Sequence, residues 1–174
     1  MNCACYAVNA SDITPVLIML GADIVTTERT VPAAELFTTN IQVQQYLSLG
    51  ELVKAFEIPK AKGEAHYDKR RVRDAIDFAI VSLASDLEVE DGVCKSAKLV
   101  LGGVAPVPYP VPDADAYLAG KKLTKETAKE AAAIALRDAV PMAENEYKVF
   151  IAKDVIYNRI CEAAGIKQEA IPVL

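Results

Sequence analysis

Four cations fall between positions 69 and 73, as Lys69, Arg70, Arg71 and Arg73. Tyr67 and Asp68 precede them, and the apolar-rich stretch Ile76-Asp77-Phe78-Ala79-Ile80-Val81 follows. A cationic run that passes into an apolar strand sets fixed positive charge at the edge of a core, an arrangement that holds an electron-rich or anionic ligand against a surface. The formal net charge of the chain is −5. A basic cluster inside an acidic chain therefore reads as a discrete anion site or an interface, because nucleic-acid binding needs an extended basic field. A solvated cationic face is the competing reading.

Other chemistry-bearing residues are less promising. His66, the single histidine, has no Cys or second His nearby and belongs to no triad-like arrangement, so it reads as a surface residue. Glu88, Glu90 and Asp91 fall on a polar strand face and at a turn, which gives them no acid–base role. The four cysteines, Cys3, Cys5, Cys94 and Cys161, match neither a CxxC pair nor a zinc spacing. Reduced thiols in a cytoplasm follow from that usage. The apolar run from Ile13 to Val25 is too short for a membrane span, and nothing resembles a signal peptide.

The elements that must position these residues follow from periodicity and punctuation. Ser11-Asp12 can cap a short helix over Thr14–Leu20 that ends at Gly21, with Asp12 serving as an N-cap in the plainest reading. Two short strands flank Glu28-Arg29, and a weak strand pattern runs from Leu52 to Ile58 before Pro59. Lys60-Ala61-Lys62-Gly63-Glu64 is the most linker-like segment and sets a boundary between residues 1–62 and 63–174.

Further on, Val81, Leu83, Leu87 and Val89 alternate with Ser82, Asp86, Glu88 and Glu90, a period of two that predicts a half-buried strand. Asp91-Gly92 then turns the chain into a return strand, and Gly102-Gly103 ends it where backbone must pass close to something. Pro106, Pro108, Pro110 and Pro112 require an extended connection. Three helices follow: one over Ala114–Ala119, one capped by Thr124, and one from Glu146 to Ala164. The second carries the small-residue stripe Ala128, Ala131, Ala132, Ala135 and Ala139 and is halted by Pro141. Helices gathered after an antiparallel sheet predict an α+β sandwich. At 174 residues the chain can bury roughly 70% of its unfolded surface without covalent staples.

Several segments, in order and spacing, resemble one family. They are Tyr67-x-Lys69 through Ala75-Ile76-Asp77-Phe78-Ala79-Ile80-Val81, then Leu101-Gly102-Gly103-Val104-Ala105-Pro106. Ala119-Gly120-Lys121-Lys122-Leu123-Thr124 and Asn145-x-Tyr147-Lys148-x-x-x-Ala152-Lys153 complete the set. Together they resemble the C-terminal domain of the flavoprotein subunit of molybdenum hydroxylases, the family of carbon monoxide dehydrogenase and xanthine dehydrogenase. Ser11-Asp12-Ile13-Thr14-Pro15, Glu28-Arg29-Thr30-Val31-Pro32 and Leu52 to Pro59 resemble the end of that family's FAD-binding domain. The resemblance thus covers the whole chain but only the back half of the usual subunit. Its implied architecture is a small remnant of the FAD-binding domain followed by an antiparallel-sheet plus three-helix sandwich.

The resemblance implies a component of an FAD-dependent oxidoreductase complex, one that passes electrons from [2Fe-2S] clusters through FAD to NAD or another acceptor. Molybdopterin and the clusters would belong to partner subunits, a molybdenum-containing large one and a [2Fe-2S] small one. Three positions match family flavin contacts: Asp12, whose carboxylate can accept hydrogen bonds; Val53, an apolar neighbour of the ring; and Lys69, a cation near the isoalloxazine. No glycine precedes Gly21, and Asn2 stands where a Gly-Gly-Asn segment would be ending. The phosphates of a dinucleotide need a glycine-rich anion cradle. Either a separate N-terminal FAD-binding polypeptide supplies it, or the chain is a truncation, or flavin is not bound. Pro110 stands where the family commonly places an Arg, so an ion pair used there is missing. The alternative is a non-catalytic structural or interaction subunit of such a complex that has lost flavin binding, and a third reading is a small binder of anionic metabolites.

Overall fold

A computed structural model describes residues 7–37, 47–73 and 76–167. Cys3 and Cys5 lie outside them, as do Asp74 and Ala75 within the stretch that follows the basic run. Helix α1 (Ile13–Leu20) leads into strands β1 (Asp23–Thr26) and β2 (Thr30–Pro32), the short helix α2 (Ala33–Leu36) and strand β3 (Val53–Glu57). These strands form an antiparallel sheet in the order β2-β1-β3. The chain then builds β4 (Glu64–Arg70), β5 (Val81–Glu90), β6 (Val93–Gly102) and β7 (Tyr109–Pro110), which form a second antiparallel sheet in sequence order. Helices α3 (Pro112–Leu118), α4 (Lys125–Ala135) and α5 (Tyr147–Ala163) close the chain. The expected α+β sandwich of antiparallel sheet and three helices is what forms.

Strands β5 and β6 are the spine of the molecule. Leu83, Leu87, Leu99 and Leu101 point to one face and share a core with Ala128, Ala131, Val155, Ile156 and Ile160 of the helices. Small side chains on α4 let that helix lie close to its neighbours. Thr124 caps α4 through a reciprocal pair with Thr127: its hydroxyl accepts from Thr127 N at 3.2 Å, and its own N–H donates to Thr127 Oγ1 at 2.7 Å. The stripe is one residue shorter than predicted. The helix ends at Ala135 and Leu136 turns into the core, so Ala139 is exposed and Pro141 lies well past the end.

The opposite face of β5 and β6 departs from the half-buried strand that alternation predicts. Ser82 and Ala84 are buried, and Ala84 and Val100 join Leu17, Ile18 and Met19 of α1 in a second core. A helix covers this face because the residues beneath it are small. This face of β5 opens to water toward its far end, from the partly exposed Asp86 to Glu90. Gly102 is required at the same contact, since a side chain there would press on the Ser82 hydroxyl and stand 3.0 Å from Pro15 of α1.

The Asp91-Gly92 turn has positive φ at both residues, 52° and 73°, as a tight hairpin turn demands. Gly103, with φ of 72°, would place a Cβ 3.1 Å from the carbonyl oxygens of Ala79 and Ile80. This is the close backbone approach that the Gly-Gly pair predicts.

Candidate functional site

Strand β4 is the element that alternation did not reveal. It lies along the outer side of β5, pairing Tyr67 with Ala84 and Lys69 with Ser82. Its apolar content is low, with Glu64, His66, Asp68, Lys69 and Arg70 among its seven residues, so hydrophobic periodicity gives no signal. Residues two apart on a strand share a face, so Tyr67 and Lys69 project together. They project toward the start of α1, which crosses the same face of the sheet.

The start of α1 is built so that Asp12 is available to them. The Ser11 hydroxyl accepts from Thr14 N at 3.1 Å and performs the capping, while Asn9 Oδ1 accepts from Ser11 N at 3.1 Å. Asp12 makes no side-chain cap bond, which overturns its reading as an N-cap. Its Oδ1 accepts from the Tyr67 hydroxyl at 2.8 Å and its Oδ2 from Lys69 Nζ at 2.7 Å. The ammonium is well covered, with 20% of the Lys69 side chain exposed against 46% for Asp12.

Electrostatics follow the geometry. Desolvation pushes the Asp12 carboxyl up, but the Lys69 and Tyr67 hydrogen bonds and the nearby Arg71 outweigh it and hold the group below the usual carboxylate range. Burial, reinforced by the Asp12 carboxylate and opposed by a hydrogen bond with Ser82, pushes the Tyr67 phenol up to about 12. Tyr67 is therefore a fixed donor and Asp12 a fixed anion at neutral pH. Lys69, Arg70 and Arg71 line an open concavity together with Ile80, Ile151 and Asp154. An anion or an electron-rich ring edge resting there meets three cations, of which Lys69 is already held in place by Asp12.

The chain leaving β4 differs from the strand predicted for it. Ile80 N donates to Arg70 O at 2.8 Å, and strand pairing resumes only at Val81. Between them Asp77 gathers a turn, accepting from the backbone N–H groups of Val72 and Arg73 at 3.2 and 3.0 Å. Ile76 has a φ of 45°, a conformation that β-branched residues rarely adopt, and its side chain is fully exposed. Phe78 and Val72 are exposed as well. These apolar side chains therefore stand in solvent beside the basic cluster instead of entering the core.

Val53 is not gathered with the other two. It opens β3 on the other sheet, opposite Thr26, and is exposed, so it is neither buried core nor in the Asp12–Tyr67–Lys69 cluster. What precedes it is a clamp. Glu51 is buried and accepts from Thr26 Oγ1 at 2.7 Å, Ser48 N at 2.7 Å and Arg29 Nε at 3.0 Å. The Arg29 bond, with those from Thr26 and Ser48, draws the Glu51 carboxyl down to about 2. His66 is partly exposed, its Nε2 3.6 Å from Asp68 Oδ2. Tyr67 is the residue that sequence reasoning passed over as a member of the site. The signal was present in the i, i+2 spacing of Tyr67 and Lys69, once 64–70 is recognised as a strand.

Residues 65–163 match a family described as the CO dehydrogenase flavoprotein C-terminal domain, and that span holds both Tyr67 and Lys69. The chain belongs to this family. Among relatives of this CO dehydrogenase flavoprotein-type chain, the aldehyde oxidoreductase FAD-binding subunit PaoB of Escherichia coli (strain K12) is 31% identical over 170 residues. That match covers 92% of this chain and 50% of PaoB. The glyceraldehyde dehydrogenase medium chain of Sulfolobus acidocaldarius is 27% identical over 151 residues, covering 84% of this chain and 53% of the relative. The chain thus spans about half the length of the curated relatives it matches.

Solved structures agree on the fold of this flavoprotein-type chain. Quinoline 2-oxidoreductase from Pseudomonas putida 86 superposes with a TM-score of 0.81 at 24% identity, covering 92% of this chain and 59% of that one. CO dehydrogenase from Oligotropha carboxidovorans gives 0.79 at 25% identity, covering 91% and 58%. The chain corresponds to the C-terminal portion of the FAD-binding subunit of the molybdenum hydroxylase family. Among the described residues, no helix of this family member is long and apolar enough to cross a membrane.

Proposed function

We propose that the chain forms one wall of an FAD site in a molybdenum hydroxylase-type complex, with Asp12 and Lys69 touching the cofactor and Tyr67 holding Asp12 in place. The observation that carries this reading is the Asp12–Lys69 pair, a charge pair that joins the N-terminal helix to the sheet edge beside a basic concavity. The residues present fit one edge of a flavin. An ammonium suits the electron-rich N1 and C2=O side of the ring, and a carboxylate suits its hydroxyl and N–H donors. Flavin supplies hydride and single-electron chemistry when bound. Lys69 would favour electron density on the ring, and Asp12 would orient it. Val53, exposed on β3, is an apolar surface that a ring edge can cover.

In this reading electrons arrive from [2Fe-2S] clusters on a small subunit and leave for NAD or another acceptor, while a large subunit carries molybdopterin. The naming of PaoB as an FAD-binding subunit of an aldehyde oxidoreductase supports the cofactor and the assembly. We place the division between the FAD-domain remnant and the C-terminal domain at residues 62 and 63. It is supported by the change of sheet between β3 and β4 and by a family match that begins at residue 65. A cytoplasmic setting goes with the buried free thiols Cys94 and Cys161.

The test is reconstitution. Purified with FAD and the N-terminal half of a relative's subunit, the chain gains flavin absorbance near about 450 nm, as oxidised flavins show. Lys69→Ala lowers the bound fraction or makes the flavin harder to reduce. Equal flavin content and equal reduction behaviour in Lys69→Ala and wild type would end this reading. Failure of both to bind flavin would favour the second one, a structural subunit. That second reading is favoured by the large apolar side chains exposed at Leu52, Phe56 and Ile58, which offer a docking face without any cofactor.

A further inference from the structure

A cavity of about 210 Å³ opens between the α4–α5 connection and the proline-rich segment after β6. Its walls are largely apolar, from Val8, Ala105, Tyr109, Leu136, Met142 and Val149. The backbone that frames it is fixed: Asn9 N donates to Ala105 O at 2.8 Å, and Gly103 N donates to Asn9 O at 3.1 Å. Lys148, from the first turn of α5, is one of the residues that line this space. Lys148 Nζ donates to Gly103 O at 2.6 Å, and no carboxylate of a described residue lies within ion-pairing distance of it.

Such a cation is costly to leave without a counter-charge. Burial draws the Lys148 pKa down, and a single carbonyl uses one of its three donors. Asp138 also lines the cavity, but its carboxylate is turned to Arg137 Nε at 3.4 Å and is mostly in water. Asn145 is occupied too, its Oδ1 accepting from Met142 N at 2.6 Å. The unmet demand in the cavity is thus for one negative charge beside an apolar surface. Its volume is smaller than the roughly 300–1,000 Å³ of sites for drug-sized ligands.

We propose that this cavity binds a small monocarboxylate with an apolar body of benzoate size, its carboxylate on Lys148 and its ring against Tyr109, Leu136 and Val149. The site stands apart from the Asp12–Tyr67–Lys69 cluster and does not rest on the flavin reading. Neither a phosphate nor a neutral ring meets both demands, since the first lacks the apolar body and the second lacks the charge.

The test is titration of the full chain with benzoate, benzyl alcohol and inorganic phosphate, followed by backbone amide NMR shifts and calorimetry. Benzoate is expected to saturate, with shifts at Ala105, Lys148 and Val149 and a Kd at least about tenfold lower than that of benzyl alcohol. Lys148→Met should weaken benzoate by about tenfold or more, as loss of a charge-assisted hydrogen bond in a sheltered site predicts. Ala139→Trp, at an exposed lining position, should block it by filling the space, and this second variant decides the matter if Lys148→Met does not fold. The proposal is overturned by absent saturation, by benzyl alcohol binding as tightly as benzoate, or by binding that survives Ala139→Trp. It is equally overturned if benzoate binding is lost in Lys69→Met but kept in Lys148→Met, which would assign the anion to the basic concavity.

Discussion

Asp115 offers a stability test whose sign and size both come from the structure. Its carboxylate sits under the sheet in α3, where Oδ1 accepts from Leu99 N at 3.0 Å. Desolvation pushes the carboxyl up to about 7 from 3.8, against the opposing pull of the Leu99 N–H and of Lys98. The unfolded chain therefore releases this proton near pH 3.8, while the folded chain keeps it until about pH 7. Across that window the folded state binds more protons, so stability falls as pH rises and levels off above pH 7. Each decade of proton affinity is worth about 1.4 kcal/mol, which sets a ceiling of about 4 kcal/mol. Residual solvent around the group screens part of this, leaving about 2 kcal/mol.

Asp115→Asn keeps an oxygen for the Leu99 N–H but cannot ionise. Urea unfolding of wild type and variant at pH 4.5 and pH 8.5 should show the variant gaining on wild type by about 2 kcal/mol between the two conditions. A stability difference that is the same at both pH values, or that moves against the variant at pH 8.5, refutes the reasoning.

Other consequences are simpler to check. Gly102→Ala forces a methyl against Ser82 and Pro15, so thermal melting should reveal a loss of about 1–3 kcal/mol, with part of it recovered in a Gly102→Ala/Ser82→Gly double variant. Glu51 is held below its ordinary range, so its contribution is complete above about pH 4.5 and disappears as pH falls through about 2. Glu51→Gln should thus melt below wild type at pH 7, and the gap should narrow toward pH 2 in scanning calorimetry. Leu87→Ala removes a side chain that is 2% exposed in the main core and should cost about 2–5 kcal/mol by chemical denaturation. Tyr67→Phe deletes the donor to Asp12 and should cost about 1 kcal/mol at neutral pH by the same measurement.

The sheet–helix half of the molecule was legible because its signals are local. Period-two alternation, the Asp91-Gly92 turn and the Thr124 cap each act within a few residues, and β5, β6 and the start of α4 appear where those signals place them, whereas α3 begins at Pro112, two residues earlier than expected and within the proline-rich segment. What escaped was decided by residues far apart. Strand β4 is polar on its own and becomes a strand by pairing with β5. Ser82 looks like part of a solvent face until α1 is laid over it. Asp12 follows the N-cap pattern, yet Ser11 takes that role and frees the carboxylate for partners at positions 67 and 69, more than fifty residues on. The Ile76–Val81 run looked like a strand by composition alone, and the Asp77 turn shows how backbone N–H acceptance overrides that tendency.

One buried residue gives the polar outer strand a mechanical character. Arg159, with 1% of its side chain exposed, reaches from α5 to donate to Ser85 Oγ at 3.1 Å and to the Glu64 carbonyl at 3.3 Å. Glu64 begins β4, and Asp12 grips the same strand at Lys69, near its other end. The strand is therefore a beam riveted at both ends, one rivet driven from each side of the sheet. Peeling it away requires two unrelated helices to let go at once, so the cation it carries keeps its station even though little grease lies beneath it.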